Sequence, residues 1–263
     1  MKKLIRISVL VLFEIFVING CKKENNSPDI PNIGKTTAVF NPSITYGTMT
    51  DQDGNIYKTV TIGTQTWMAE NLRATHYRNG DDIPNVTNDT AWVNLTTGAY
   101  CNYNNTKSPD SIATYGRMYN WYAVTDSRNI APSGWHVPTD EEWKTLEMFL
   151  GMTQAQADST GFRGTDQGKQ LEETGRTHWY WYGGTNSSGF TALPDGYRDW
   201  WFGNFVYHSE SGLWWSATEL NLANAWYRCL GEKELYSVNE FKDYVFRSYI
   251  DKSLGCSVRC LRD

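Results

Sequence analysis

At 263 residues and 40% hydrophobic content, the chain can bury one sizeable core and fill one or two domains. Its net charge is −5 and no Lys/Arg cluster follows Lys23, so the basic stripe that a nucleic-acid partner requires is missing. Aromatic content is the unusual feature, with 12 Trp, 16 Tyr and 10 Phe. Trp N–H and Tyr O–H want polar partners, which places many of these rings near the surface or at a binding site.

Residues 1–20 read as an export signal: Lys2, Lys3 and Arg6, an apolar run from Ile7 to Ile18, then Gly20 and Cys21. The run is too short for a stable membrane span. Ile18-Asn19-Gly20-Cys21 resembles a bacterial lipoprotein box, which implies acylation of Cys21 and a lipid anchor in the outer membrane of the cell envelope. Without the signal, which holds three basic residues and Glu14, the net charge moves from −5 to −7. Residues 21–47 are polar, carry Pro28, Pro31 and Pro42, and read as a flexible tether to a domain spanning 48–263.

Asp51-Gln52-Asp53-Gly54-Asn55 opens like a calcium loop, but Ile62 stands where the bidentate Glu would be needed. The segment reads as a tight turn into a half-buried strand with Ile56, Lys58, Val60 and Ile62 in alternation. Residues 78–112 are rich in Asn, Asp and Thr and should be irregular, held by Trp92, Tyr100 and a bridge from Cys101. A short helix is expected over Tyr115–Val124.

The best-specified stretch is Thr139–Gly151. Thr139 and Glu142 have capping-box spacing, and Asp140 and Glu141 suit the positive end of the helix dipole. Trp143, Leu146 and Leu150, with Phe149 beside them, predict one apolar stripe, and Gly151 ends it. A second helix is expected from Gln167 to Thr174. A Gly-rich loop follows at 183–213, and Leu213–Thr218, Ala225–Leu230 and Ser257–Leu261 read as closing strands.

An exported chain meets an oxidising compartment, so Cys101, Cys229, Cys256 and Cys260 are expected to form two disulfides. Four cysteines allow three pairings, and the sequence alone does not choose. The pairing carried forward is Cys101–Cys260 with Cys229–Cys256. Cys256 and Cys260 on one extended strand would lie about 13 Å apart, too far to bond to each other.

Five blocks then occur in a recognisable order: Ile62-Gly63-Thr64-Gln65-Thr66-Trp67-Met68-Ala69-Glu70-Asn71-Leu72, Tyr119–Val124, Pro132–Pro138, Trp214–Glu219 and Ser257–Leu261. Together they resemble the Fibrobacter succinogenes major paralogous domain, a family of exported bacterial proteins, over about residues 48–263. The chain departs from many members at Ala131, Asp195 and Cys256, where Cys, Gly and an aromatic residue are usual. The closing blocks are in turn similar to the C-type-lectin-like fold that formylglycine-generating enzymes elaborate. That similarity implies an α+β architecture, with two short helices on small twisted antiparallel sheets, neighbouring termini, and a long irregular loop region carrying the ligand site. The resemblance carries no catalytic residues.

Catalytic templates are missing: there is no G-x-S-x-G elbow, H-E-x-x-H helix or phosphate loop. His76, His136, His178 and His208 are scattered, and the acid pairs Asp81-Asp82 and Glu172-Glu173 read as solvated charge. The expectation is a non-catalytic, envelope-anchored module for binding or adhesion to glycan or extracellular protein. Trp179, Trp181, Trp200 and Trp201 are its candidate stacking rings, unless they pack the loop's own core. Asp195, Glu219 and Asn221 are candidate ligand contacts able to coordinate calcium through oxygen, with no other cofactor expected. The alternative is a formylglycine-generating-type copper oxidase, in which Cys256-x-x-x-Cys260 would supply soft thiolates to Cu(I).

Overall fold

The computed structural model describes residues 34–180, 183–231 and 243–263. The export signal, Cys21 and Trp181 lie outside the described residues. In chain order come strands β1 (Gly47–Thr50), β2 (Ile56–Ile62) and β3 (Gln65–Met68), helix α1 (Asp89–Val93), β4 (Tyr100–Cys101), α2 (Pro109–Tyr115), β5 (Met118–Tyr119) and α3 (Trp121–Val124). Then follow β6 (Trp135–His136), α4 (Asp140–Phe149), α5 (Gln154–Asp158), β7 (Gly161–Arg163) and α6 (Gln167–Leu171). The last part holds β8 (Tyr197–Arg198), β9 (Phe205–Val206), β10 (Gly212–Glu219), β11 (Asn224–Leu230), β12 (Val245–Asp251) and β13 (Leu261–Arg262).

The class is α+β, with six short helices and small antiparallel sheets among the described residues. One sheet runs β1-β2-β3-β13-β6, so the last strand of the chain closes beside the first ones. A second runs β10-β11-β12-β7, and β4-β5 and β8-β9 are two-stranded ribbons. The lectin-like resemblance implies two helices, and the residue patterns predict three. The expected Tyr115–Val124 helix is instead the end of α2, strand β5 and helix α3, because Gly116 at φ 76° breaks the first helix and Asn120 caps the next. The expected second helix stops at Leu171, where Glu172 turns extended. Strand β12 carried no clear pattern in the sequence, and of the expected Ser257–Leu261 strand only Leu261 lies in a ladder strand.

Helix α4 begins as its sequence dictates: Thr139 accepts from the Glu142 amide, and the Glu142 carboxylate reaches back to the Thr139 amide. Trp143 and Leu146 enter a core with Trp67, Phe190, Trp214 and Leu230. Trp67 and Trp143 lie 4.8 Å apart, and Phe190 meets both edge-on. Phe149, expected beside the stripe, is 63% exposed.

The buried face of α4 is wider than its apolar stripe. Asp140, Lys144 and Glu147 recur at i, i+4 and i+7 and are buried as well. Glu147 takes two hydrogen bonds from Arg163 at 2.6 and 2.8 Å and a third from Arg228 at 2.7 Å. Asp140 accepts from Arg228 at 2.7 Å and from Arg247 at 2.6 and 3.0 Å. Arg228 and Arg247 are direct cross-strand partners on β11 and β12. Two like charges so placed repel, and Asp140 between them turns that repulsion into a clamp of helix on sheet.

No disulfide joins Cys101, Cys229, Cys256 and Cys260, and all four thiols are buried. The expected bridges Cys101–Cys260 and Cys229–Cys256 are therefore not formed. Cys101 pairs across β5 with Met118 while Cys256 bridges Tyr119, so β5 runs between those segments. Cys229 faces Leu213 and Phe246, and the Cys260 amide points at the Met68 sulfur. All four cysteines sit in the apolar clusters of the core, and the Cys229 thiol donates to the Leu230 carbonyl at 3.5 Å.

The tether also ends earlier than expected. From Lys35 on, the segment 34–47 lies along the domain: the Lys35 amide bonds Asp110, the Thr37 amide bonds Thr114, and Phe40, Ile44 and Tyr46 pack on the Trp143 core. Gly34, at φ 66°, approaches the Pro109 carbonyl so closely that any Cβ would clash.

Glu147→Ala leaves Arg163 and Arg228 short of their buried carboxylate and should lower unfolding free energy by about 3–5 kcal/mol, read as a shifted denaturant midpoint at unchanged slope. Burial alone would raise the Asp140 carboxyl, but the hydrogen bonds and charges of Arg247 and Arg228 outweigh it and bring its pKa to about 2. The stabilisation this carries is complete above the unfolded value of about 4 and is lost as pH falls through about 2. Acid titration of the melting temperature should show that loss between those two values, and Asp140→Asn should flatten it.

Candidate functional site

A cleft of about 470 Å³ opens between two irregular walls and is lined by Tyr103, Asn104, Thr106, Ser111, Tyr115, Gly116 and His208. One wall comes from the turn before α2 and from α2 itself, and the other from the segment leaving the β8–β9 hairpin. The His208 imidazole lies between two phenol rings, 4.7 Å from Tyr103 and 4.6 Å from Tyr115. Gly196, at φ 68°, lets the hairpin close here, since a Cβ would strike the Val206 carbonyl, the His208 amide and the Tyr103 ring.

Backbone strain concentrates around this cleft. Tyr207 (φ 58°) and Ser209 (φ 68°) flank His208 in the left-handed region, as Asn104 and Asn105 do on the opposite wall. Asn tolerates that conformation and Tyr does not, so the second wall is held there by its surroundings. Burial lowers the His208 pKa, and the neighbouring His178 adds to the effect, so the imidazole is neutral near pH 7. Burial first, with the Glu173 and Asp195 charges adding, pushes the Tyr115 phenol up to about 12.

Behind the cleft lies a buried polar layer. Asn71 donates to the Tyr115 carbonyl at 2.9 Å and to Asp195 at 3.2 Å, and Ser257 donates to the same Asp195 oxygen. Arg259 donates to Asn71 and to the Phe190 and Thr191 carbonyls. Burial raises the Asp195 carboxyl to about 8 despite the Ser257 hydrogen bond, which leaves it protonated at neutral pH. Asp195 is thus a structural group in this layer.

The wall is tied to the 34–47 segment by a carboxylate–imidazole–hydroxyl series. Glu173 bonds His178 Nδ1 at 2.7 Å, and His178 Nε2 meets Thr37 Oγ1 at 2.9 Å. Glu173 is wholly buried and Glu172 nearly so, which corrects their reading as solvated charge. The series resembles a nucleophile relay, but the amides of Thr37, Ala38 and Val39 already donate to Thr114, Thr36 and Glu173. With those donors spent, the arrangement acts as a latch.

The sequence-predicted residues are dispersed. Trp179 is buried, its indole N–H on the Ala192 carbonyl. Trp200 is half-buried against the core, and Trp201 stands 65% exposed beside Phe202 at the tip of the β8–β9 hairpin. Asp199 forms that tip by accepting from the Trp201 and Phe202 amides. Buried Arg198 clamps its base to the Gly203, Val86 and Thr87 carbonyls and to Asp89. Glu219 pairs with Lys252, and Asn221 caps its own turn through the Ala223 and Asn224 amides. Asp195, Glu219 and Asn221 each have separate partners. Among the described residues no group of three or more His, Cys, Asp or Glu is placed to hold a metal ion.

Cys256 and Cys260 are fully buried, and burial drives both thiols well above their ordinary pKa. A neutral thiol is a poor metal ligand and a poor nucleophile. Tyr103, Tyr115 and His208 escaped sequence reasoning because they come from segments about ninety residues apart. The run Asn102-Tyr103-Asn104-Asn105 was the available signal, since paired Asn residues announce left-handed backbone.

The family model described as the Fibrobacter succinogenes major domain matches residues 60–262, and the chain belongs to that family. No curated protein and no solved structure matches it.

His178→Ala should release the latch without unfolding the domain. Amide exchange of residues 35–41 should then rise while that of β11 and β12 stays protected, and unchanged exchange would show that the apolar contacts of Phe40 and Ile44 hold the segment alone.

Proposed function

We propose that this member of the Fibrobacter succinogenes major domain family is a non-catalytic binding and adhesion module for glycan or protein ligands. In this reading it is held by a lipid on Cys21 in the outer membrane of the cell envelope, and its fold is C-type-lectin-like. The carrying observation is the aromatic, hydroxyl-rimmed cleft of about 470 Å³, within the roughly 300–1,000 Å³ of small-ligand sites. The β8–β9 hairpin that leads into His208 carries an exposed Trp201–Phe202 tip at its other end. Two features support the fold reading: the last strand, β13, pairs with β3 in the same sheet as β1 and β2, and long irregular segments separate the small sheets.

Exposed rings at a rigidly clamped tip supply contact area at low entropic loss on binding. Glycan arrays and pull-downs of envelope protein with the full chain test the reading. Trp201→Ala and Tyr115→Ala should each reduce retention of the ligand relative to the parent, and equal retention by all three would sink it.

A further inference from the structure

We infer that the cleft between Tyr103, Tyr115 and His208 is built for the neutral pyranose end of a glycan and selects against anionic sugars. The inference rests on the binding-module reading and narrows its ligand.

None of the seven lining residues is an Asp, Glu, Lys or Arg. The single lining base, His208, is neutral near pH 7 for the reasons of burial given above. Of the charges that reach the cleft from behind, Glu173 acts on the Tyr115 phenol and Glu210 on that of Tyr103, while His178, paired with Glu173 at 2.7 Å, acts on His208. Arg117, next to Gly116, is turned away, its guanidinium over the Tyr100 ring and bonded to Asn102 and the Arg73 carbonyl. A carboxylate, sulfate or phosphate would meet no Lys or Arg in the lining to offset the loss of its hydration.

The neutral groups that are present match a sugar ring. Tyr103 and Tyr115 are half-buried and line the cleft with aromatic carbon, the kind of surface against which the C–H face of a pyranose packs. Asn104, Thr106 and Ser111 place amide and hydroxyl groups at the rim, each able to donate and to accept, as sugar hydroxyls require. Ser111 is carried by helix α2 and the backbone at Asn104 by a fixed turn, so the rim is largely set before a ligand arrives, which limits the ordering entropy of binding.

Isothermal titration of the full chain with neutral saccharides (glucose, galactose, mannose, N-acetylglucosamine, cellobiose), with glucuronic and galacturonic acid, and with adenosine decides the matter. At least one neutral saccharide should bind, more tightly than the uronic acids. Its affinity should be insensitive to salt over a range that shortens the Debye length from about 10 to 3 Å. Tyr115→Ala should weaken it about three- to tenfold, the value of one ring contact. Ser111→Ala, a milder rim change that spares the fold, should weaken it as well, and Lys107→Ala should not. Preference for a uronic acid, binding of adenosine alone, or affinity unchanged in both cleft variants overturns the inference. No binding to any member of the panel also overturns it, while pull-down of a protein ligand in that case would leave the wider module reading standing.

Discussion

The fold depends on three arginines from one sheet meeting two carboxylates from one helix. Asp140 and Glu147 lie two turns apart on α4 and receive Arg163, Arg228 and Arg247 from three strands. Such a cluster adds little net stability over a well-packed apolar interface, because each ion must first leave water. Its contribution is to orientation. An apolar stripe tolerates sliding by a fraction of a turn, whereas bidentate guanidinium–carboxylate pairs accept one geometry. Once α4 is placed, Trp143 is placed, and the ring cluster with Trp67 and Phe190 follows.

A related device holds the irregular half of the molecule. Loops without ladder partners must find donors for their buried carbonyls, and buried or half-buried arginines supply them. Arg78 donates to the Ala131, Pro132 and Trp135 carbonyls, Arg198 to those of Val86, Thr87 and Gly203, and Arg259 to those of Phe190 and Thr191. Several of these guanidinium groups also lie over rings, as Arg198 does over Trp92 at 4.6 Å and Arg259 over Phe190 at 4.2 Å. The high aromatic content and the long loops are thus two sides of one arrangement, with arginine between them.

Local chemistry was legible in the sequence and long-range chemistry was not. Thr139 and Glu142 announced their capping box because both partners sit within one turn. The run Ile56 to Ile62 announced β2 for the same reason, though not its faces: Ile56 is exposed, and Tyr57 and Thr59 are buried together with Val60 and Ile62. The charged second stripe of α4 was hidden, since Asp140 and Glu147 look solvated until Arg228, more than eighty residues away, is brought to them. The cysteines misled because compartment was taken to imply bridging, while thiols can fill apolar space. Of the aromatic loop residues, Trp201 is exposed and Trp179 is buried, and composition alone has no means to separate them.

The latch at Thr37 has a mechanical consequence. Tension on the chain ahead of Gly34 arrives first at Asp110 and Thr114 on α2 and then at His178, backed by Glu173. Helix α2 ends in Tyr115, one of the rings that grips the imidazole. A pull on the leading segment is therefore delivered to the same short helix that shapes the cleft, so strain there would be felt at the cleft wall.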